Sequence, residues 1–255
     1  MSRLVFLGTS DAFNAAGRGN SCYWIEDELG TYAVDFGPTA MMQCHRLDLN
    51  IDQLDGIFLT HLHGDHIGGI AMLLVHLQFE CERTRPFVIA GPPGTEARIN
   101  MLRESAYPSV VSSGLNYPLK YVTWTVPGET EALGRTVRTI RAKHDRVAVA
   151  TSFVVKTDRR QIAFSGDTGW QPELAALVDG VDYFVCECTN LTGDYWAHLC
   201  VEEHLEHRDK FRVGRLFLSH LSESARAMAH QHMEGLRATI ADDGLSVDLD
   251  TRRTQ

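Results

Sequence analysis

With 255 residues, 44% of them hydrophobic, the chain is long enough to bury a sizeable core as a single domain over 1–255. A formal net charge of −9 argues against a protein that grips long nucleic acid, because nonspecific affinity for phosphate backbones comes from Lys and Arg displacing counterions. The opening Met1-Ser2-Arg3-Leu4-Val5-Phe6-Leu7-Gly8 has no apolar run of secretory length, and no stretch reaches the roughly 18 apolar residues of a spanning helix, so a soluble cytoplasmic protein with no membrane partner is expected.

Short strand-like runs alternate with helical ones along the chain. Strands are expected at 3–7, 21–26, 32–35 and 56–59, with a turn at Glu28-Leu29-Gly30 between the second and third. The run 70–77 reads as a buried helix that starts beside Gly68-Gly69. A strand at 87–90 closes on Gly91-Pro92-Pro93-Gly94 and leads to a helix over 95–104 capped by Thr95. The segment 105–118, with Tyr107-Pro108 and Asn116-Tyr117-Pro118, reads as a mobile loop, either a lid or a contact between two protomers. The second half repeats the arrangement, with strands at 120–125, 136–142, 151–156, 161–165 and 181–187 and helices near 171–178 and 198–208. A last strand at 215–219 enters a helix over 223–240.

The run His61-Leu62-His63-Gly64-Asp65-His66 puts three imidazoles and a carboxylate directly after the apolar stretch that ends in Thr60. Alternation along a turn leaving a strand lets His61 and His63 face one ion and Asp65 and His66 a second, so the run reads as a metal site. Six cysteines show no Cys-x-x-Cys spacing and are expected as reduced, buried thiols, Cys186 and Cys188 on one face of their strand. Arg135, Arg138, Arg141, Lys143 and Arg146 form the one basic cluster, read as the solvated face of a strand whose nearness to His144 admits an anionic substrate.

The histidine run resembles the signature of the metallo-β-lactamase superfamily, and the resemblance extends through nearly the whole chain. It implies a four-layer αββα sandwich. It also implies three further ligands at strand ends, for which the chain offers His144, Asp167 in Ser165-Gly166-Asp167-Thr168, and His220 in Leu218-Ser219-His220. By that resemblance one ion takes His61, His63 and His144, the other Asp65, His66 and His220, and Asp167 is shared, holding two divalent ions about 3.5–4 Å apart. Zinc is the default metal for so nitrogen-rich a set, while the carboxylates also suit manganese or iron.

Three features narrow the resemblance to the branch that holds ribonuclease Z, the tRNA 3′-processing endonuclease, and related small-molecule phosphodiesterases. They are Leu7-Gly8-Thr9-Ser10 with Arg18-Gly19-Asn20-Ser21, the pair Gly166-Asp167-Thr168 and Glu187-Cys188-Thr189, and His198 as that branch's extra catalytic histidine. The resemblance makes Asp65, His198 and Glu187 the candidate catalytic residues. A hydroxide bridging the ions attacks phosphorus, His198 protonates the departing oxygen, and Glu187 orients His198 against the competing reading that it, like His204 and His207, merely shows itself to solvent on a helix. The tRNA-processing enzymes carry a long arm between the ligands that correspond to His144 and Asp167. Here the interval 145–166 has room only for a strand pair. A small phosphodiester, such as a cyclic nucleotide or cyclic sugar phosphate, is therefore expected, in a protein that the resemblance makes a candidate homodimer. Tyr107, Tyr117, Trp170, Tyr195 and Trp196 are candidates for an aromatic wall. A hydrolase of carboxylic esters, lactones or thioesters, an RNA 3′-processing endonuclease and a non-catalytic metal protein are the alternatives.

Overall fold

In the computed structural model, which describes residues 2–193 and 195–250, β1 (Arg3–Gly8) is buried on both faces. Leu4 and Phe6 enter one core cluster and Val5 and Leu7 another, as period-2 alternation requires of a strand covered on both sides. Antiparallel neighbours follow in β2 (Cys22–Asp27) and β3 (Gly30–Val34). After α1 (Ala40–Arg46) the pairing turns parallel through β4 (Leu54–Phe58), the one-turn α2 (Gly64–Ile67), α3 (Ile70–Phe79), β5 (Phe87–Gly91), α4 (Thr95–Ala106), α5 (Pro108–Ser113) and β6 (Leu119–Thr123).

The second half follows the same plan. An antiparallel meander of β7 (Gly128–Ala132), β8 (Arg135–Arg141), β9 (Thr151–Lys156) and β10 (Gln161–Phe164) opens it. Parallel pairing then continues through α6 (Pro172–Leu177), β11 (Tyr183–Glu187), α7 (Val201–His207), β12 (Arg215–Ser219), α8 (Glu223–Gln231), α9 (Met233–Leu236) and β13 (Thr239–Ile240), before β14 (Ser246–Asp248) returns to pair with β1. Among the described residues these strands form two seven-stranded sheets, β14-β1-β2-β3-β4-β5-β6 and β13-β12-β11-β10-β9-β8-β7.

Three apolar layers hold the sheets and helices together. Phe6, Tyr32, Phe58, Trp124, Phe153, Phe164 and Phe217, from both sheets, pack between them. The outer face of the first sheet meets α1 and α3 through Trp24, Ile57, Cys44 and Leu73, and that of the second meets α6, α7 and α8 through Phe184, Leu174, Val201 and Ala225. This is the αββα sandwich that the resemblance implied. Among the described residues no helix is long and apolar enough to cross a membrane.

A buried ion pair ties the halves together at the foot of the sandwich. The Arg135 guanidinium at the start of β8 donates to both oxygens of Asp27 at the end of β2, and it lies over the Tyr32 ring at 4.5 Å. Only 1% of the Arg135 side chain is exposed, so Asp27→Ala would strand a buried cation. A loss of about 3–5 kcal/mol in unfolding free energy is expected, measured by urea titration.

Several expectations are corrected. Thr95 is the first residue of α4 rather than its cap, which is Gly94, and its hydroxyl donates back to the Pro92 carbonyl. The segment 105–118 is largely helical, because α4 runs on to Ala106 and α5 follows at once with Pro108 at its first turn. The expected helix over 223–240 breaks into α8 and α9. Arg237 adopts the left-handed conformation at the end of α9, and Thr239 and Ile240 are captured as a strand by β12. The helix expected from 198 begins only at Val201, where Cys200 and Glu203 form a reciprocal cap. The charged β7 was missed because an edge strand needs little apolar sequence.

Candidate metal centre

Open α/β sheets gather their ligands at the carboxyl ends of parallel strands, and this chain does so in both sheets. β4 runs into Thr60 to His66, β10 into Asp167, β11 ends in Glu187 and β12 leads into His220, while His144 comes from the β8–β9 connection. The atoms that could ligate fall into two groups, His61 with His63 and His144, and Asp65 with His66, Asp167 and His220, each within 4.8 Å. Asp167 stands between them. Its Oδ2 lies 3.7 Å from His61 Nε2 and 3.8 Å from His144 Nε2, and its Oδ1 lies 3.4 Å from His66 Nε2 and 3.6 Å from His220 Nε2.

The nitrogens aimed inward fit cations. Among the described residues, His61 Nε2 and His66 Nε2 are buried with no hydrogen-bond partner, a situation that ordinarily costs about 1–3 kcal/mol per group. His144 Nε2 faces His63 Nδ1 at 3.0 Å, so two imidazole nitrogens point at one another. His63 is turned the other way round from the rest, its Nε2 lying 3.2 Å from Asp145 Oδ2. The outward nitrogens are all engaged. His66 Nδ1 donates to Asp35 Oδ2 at 2.7 Å and His144 Nδ1 to the Ala197 carbonyl at 3.0 Å, while His61 and His220 rest against the hydroxyls of Thr60 and Thr189 at 3.1 and 2.8 Å. Anchoring of the far nitrogen is how ligating histidines are oriented.

Burial pushes the Asp167 carboxyl up, but the His220 and His66 imidazoles outweigh it and hold the group well below the ordinary carboxylate range. Asp65 behaves likewise, its burial overcome by His66 and His220. Burial drives His61 and His144 down and keeps them neutral. For His66 and His220 the neighbouring carboxylates, Asp167 first, overcome burial and raise them. The cluster is thus built around ionised carboxylates that attract positive charge.

The backbone is strained at two of these positions. Asp35 (φ 56°) and His220 (φ 54°) are left-handed, at a cost of about 1–3 kcal/mol each, and such a conformation persists only where the surroundings over-determine it. For His220 the surroundings are the opening motif. The Leu221 amide donates to the Thr9 carbonyl at 3.0 Å, and Asp243 accepts from the Thr9 amide and hydroxyl and from the Gly19 amide. That pairing explains why Gly8-Thr9-Ser10 and Arg18-Gly19-Asn20 occur together.

His198 sits in the loop before α7, not on the helix. Its Nδ1 donates to Glu187 Oε1 at 2.8 Å, its ring centroid is 4.8 Å from His144, and it stacks over His220 at 5.9 Å. Burial lowers its pKa, but the Glu187 charge and hydrogen bond prevail and push it up to about 9. Glu187 also accepts from the amides of Thr168 and Thr189. The loop approaches so closely that a Cβ on Gly169 would fall 1.9 Å from the Trp196 carbonyl oxygen. His204 instead donates from Nε2 to the Glu187 carbonyl at 2.8 Å, and His207 stacks on Trp170 at 3.8 Å.

The aromatic candidates divide. Tyr195, 52% exposed, stacks on His198 at 5.7 Å, and Trp196 carries the Arg146 guanidinium 4.7 Å above its ring. Tyr117 is a core residue whose hydroxyl donates to the Leu74 carbonyl, Trp170 is covered by His207, and Tyr107 lies at the junction of α4 and α5. The six cysteines are free, and all but Cys81 are buried. Sequence reasoning missed Asp35 and Asp145, and it read Thr60 and Thr189 without a role. A carboxylate at a strand end, as in Val34-Asp35, was the signal available for the first.

The family model described as anti-Pycsar protein Apyc1 matches residues 2–238. The chain is 26% identical over 243 residues to an anti-Pycsar protein Apyc1 of Bacillus phage 010DV004, covering 87% of this chain and 89% of that one. It is also 26% identical over 299 aligned positions to a ribonuclease Z of Anoxybacillus flavithermus, covering 96% and 95%. The short form of human tRNase Z superposes with a TM-score of 0.78 at 22% identity, over 98% of this chain and all of that one, a likeness of fold. With its histidine and aspartate cluster set at the ends of two seven-stranded sheets, the chain is a metal-dependent hydrolase of the metallo-β-lactamase fold, resembles ribonuclease Z, and belongs to the anti-Pycsar protein Apyc1 family.

Proposed function

We propose that this hydrolase is a two-metal phosphodiesterase, zinc by preference, acting on a small phosphodiester, cyclic phosphates among them. His61, His63 and His144 would hold one ion and Asp65, His66 and His220 the other, with Asp167 placed between the two groups. When bound, the ions supply Lewis-acid charge to the phosphoryl oxygens and activate a water as nucleophile. The carrying observation is the His198–Glu187 pair, an imidazolium stabilised at neutral pH beside both ion groups. With Nδ1 given to Glu187, His198 keeps Nε2–H for the oxygen that leaves phosphorus.

Two observations favour a small substrate. The interval 145–166 is filled by the loop after His144 and the β9–β10 hairpin, with no protruding arm. Tyr195, stacked on His198 and 52% exposed, offers an aromatic face there, worth about 1–3 kcal/mol per base or ring. The test is hydrolysis of bis-p-nitrophenyl phosphate beside p-nitrophenyl acetate and a lactone, on protein of known zinc, manganese and iron content. Diester turnover that a chelator removes and zinc restores is the expected result. Metal-loaded protein that cleaves only the carbonyl compounds would overturn the proposal, and cleavage of precursor tRNA in preference to small diesters would replace the substrate class.

A further inference from the structure

Two carboxylates next to the centre are connected alike. Asp35 Oδ2 accepts from His66 Nδ1 at 2.7 Å and from the Thr60 hydroxyl at 2.8 Å, and the same hydroxyl lies 3.1 Å from His61 Nδ1. Glu187 accepts from His198 Nδ1 at 2.8 Å and, on its other oxygen, from the Thr189 hydroxyl at 2.7 Å, which lies 2.8 Å from His220 Nδ1. Each carboxylate therefore serves two histidines, one directly and one through a threonine. Asp35 joins a histidine of the first ion group to one of the second, and Glu187 joins the second group to His198.

A hydroxyl has one proton to give. Set between an ionised carboxylate, which only accepts, and an imidazole nitrogen, Thr60 gives its proton to Asp35 and accepts from His61. Thr189 has a further neighbour, the His220 carbonyl oxygen at 3.0 Å, but that too is an acceptor. Whichever oxygen takes the Thr189 proton, His220 Nδ1 must donate. Both rings are thereby held with hydrogen on Nδ1, so that Nε2, the nitrogen that faces Asp167, is the one left to give a lone pair to an ion.

We propose that Thr60 and Thr189 are positioning residues that fix the tautomer and orientation of His61 and His220, each setting the affinity of one ion, and that Asp35 links the two ions because it anchors a histidine of each. This rests on the two-metal reading above. Without the hydroxyl, the imidazole can take either tautomer and swing. Part of its population then presents N–H instead of a lone pair, and loss of such outer partners typically weakens metal binding about 10–100-fold.

The experiment titrates zinc, against a competing chelator, into wild-type protein and into Thr60→Val, Thr189→Val, their serine counterparts and Asp35→Asn. Nitrogen-15 imidazole spectra of the zinc-free proteins are recorded alongside. Each valine variant is expected to weaken one of two zinc ions by 10–100-fold and leave the other unchanged. It should also show mixed tautomers at the one histidine it contacts, with serine restoring both readouts. Asp35→Asn should weaken both ions. Valine variants that keep two zinc ions at wild-type affinity and a single Nδ1–H tautomer would overturn the proposal. A wild-type protein that takes up no zinc would instead sink the two-metal reading, while the tautomer spectra would still decide the role of the threonines.

Discussion

On the two-metal phosphodiesterase proposal, Asp65→Ala is expected to cut diester turnover by at least about a thousandfold and to lower the bound metal from two ions towards one. Asp65 Oδ2 lies 3.2 Å from Nε2 of both His66 and His220, and those imidazoles keep it ionised against its burial. Removing it leaves Asp167, already shared with the other group, as the one carboxylate in the set with His66 and His220 among the described residues. The charge that two ions place on a phosphoryl group is worth several kcal/mol, and each 1.4 kcal/mol is about a factor of ten. Elemental analysis run beside turnover checks both halves of the expectation. A variant that retained two ions and full turnover would take Asp65 out of the ligand set.

His198→Ala should lower turnover by about 10²–10⁴-fold, the usual worth of a placed general acid, while metal content stays normal. The loss should be largest for diesters with a poor alkoxide leaving group and smallest for p-nitrophenyl esters, whose leaving group needs little protonation. The pH dependence has a definite sign. Burial lowers the His198 pKa and Glu187 raises it more, to about 9, so the acid form is present at neutral pH and is lost as pH rises through the folded value. Bound cations draw that value down. The alkaline limb of turnover should therefore fall between the ordinary imidazole value and about 9, and Glu187→Gln should move it to lower pH. Metal loss in His198→Ala equal to that in Asp65→Ala would make His198 a ligand or scaffold instead of the acid.

The sequence by itself determined the features whose physics is local. β9 and β12 stand at the bounds expected for them, because five and four consecutive buried residues, centred on the apolar runs Phe153-Val154-Val155 and Leu216-Phe217-Leu218, mark a strand covered on both faces. His61, His63, Asp65 and His66 were legible as one site because a single turn after β4 carries them all. His144, Asp167 and His220 lie far apart in sequence. Only the resemblance to a family, and not any local period, placed them at the same end of β8, β10 and β12.

The tertiary structure decided the rest. Whether 239–240 continue a helix depends on the free edge of β12, which took them as a strand. Tyr117 looked like a loop aromatic until its hydroxyl met a carbonyl of α3, and His198 looked helical until Cys200 capped α7 behind it. The inverted ring of His63 follows from Asp145, and the shared anchoring of His61 and His66 by Thr60 and Asp35 joins the ends of two adjacent strands. The reason is one of range. Periodicity records which side of an element is buried, within a few residues, whereas the orientation of a side chain at a site is set by hydrogen-bond partners that only the packing of distant strands brings within 3 Å.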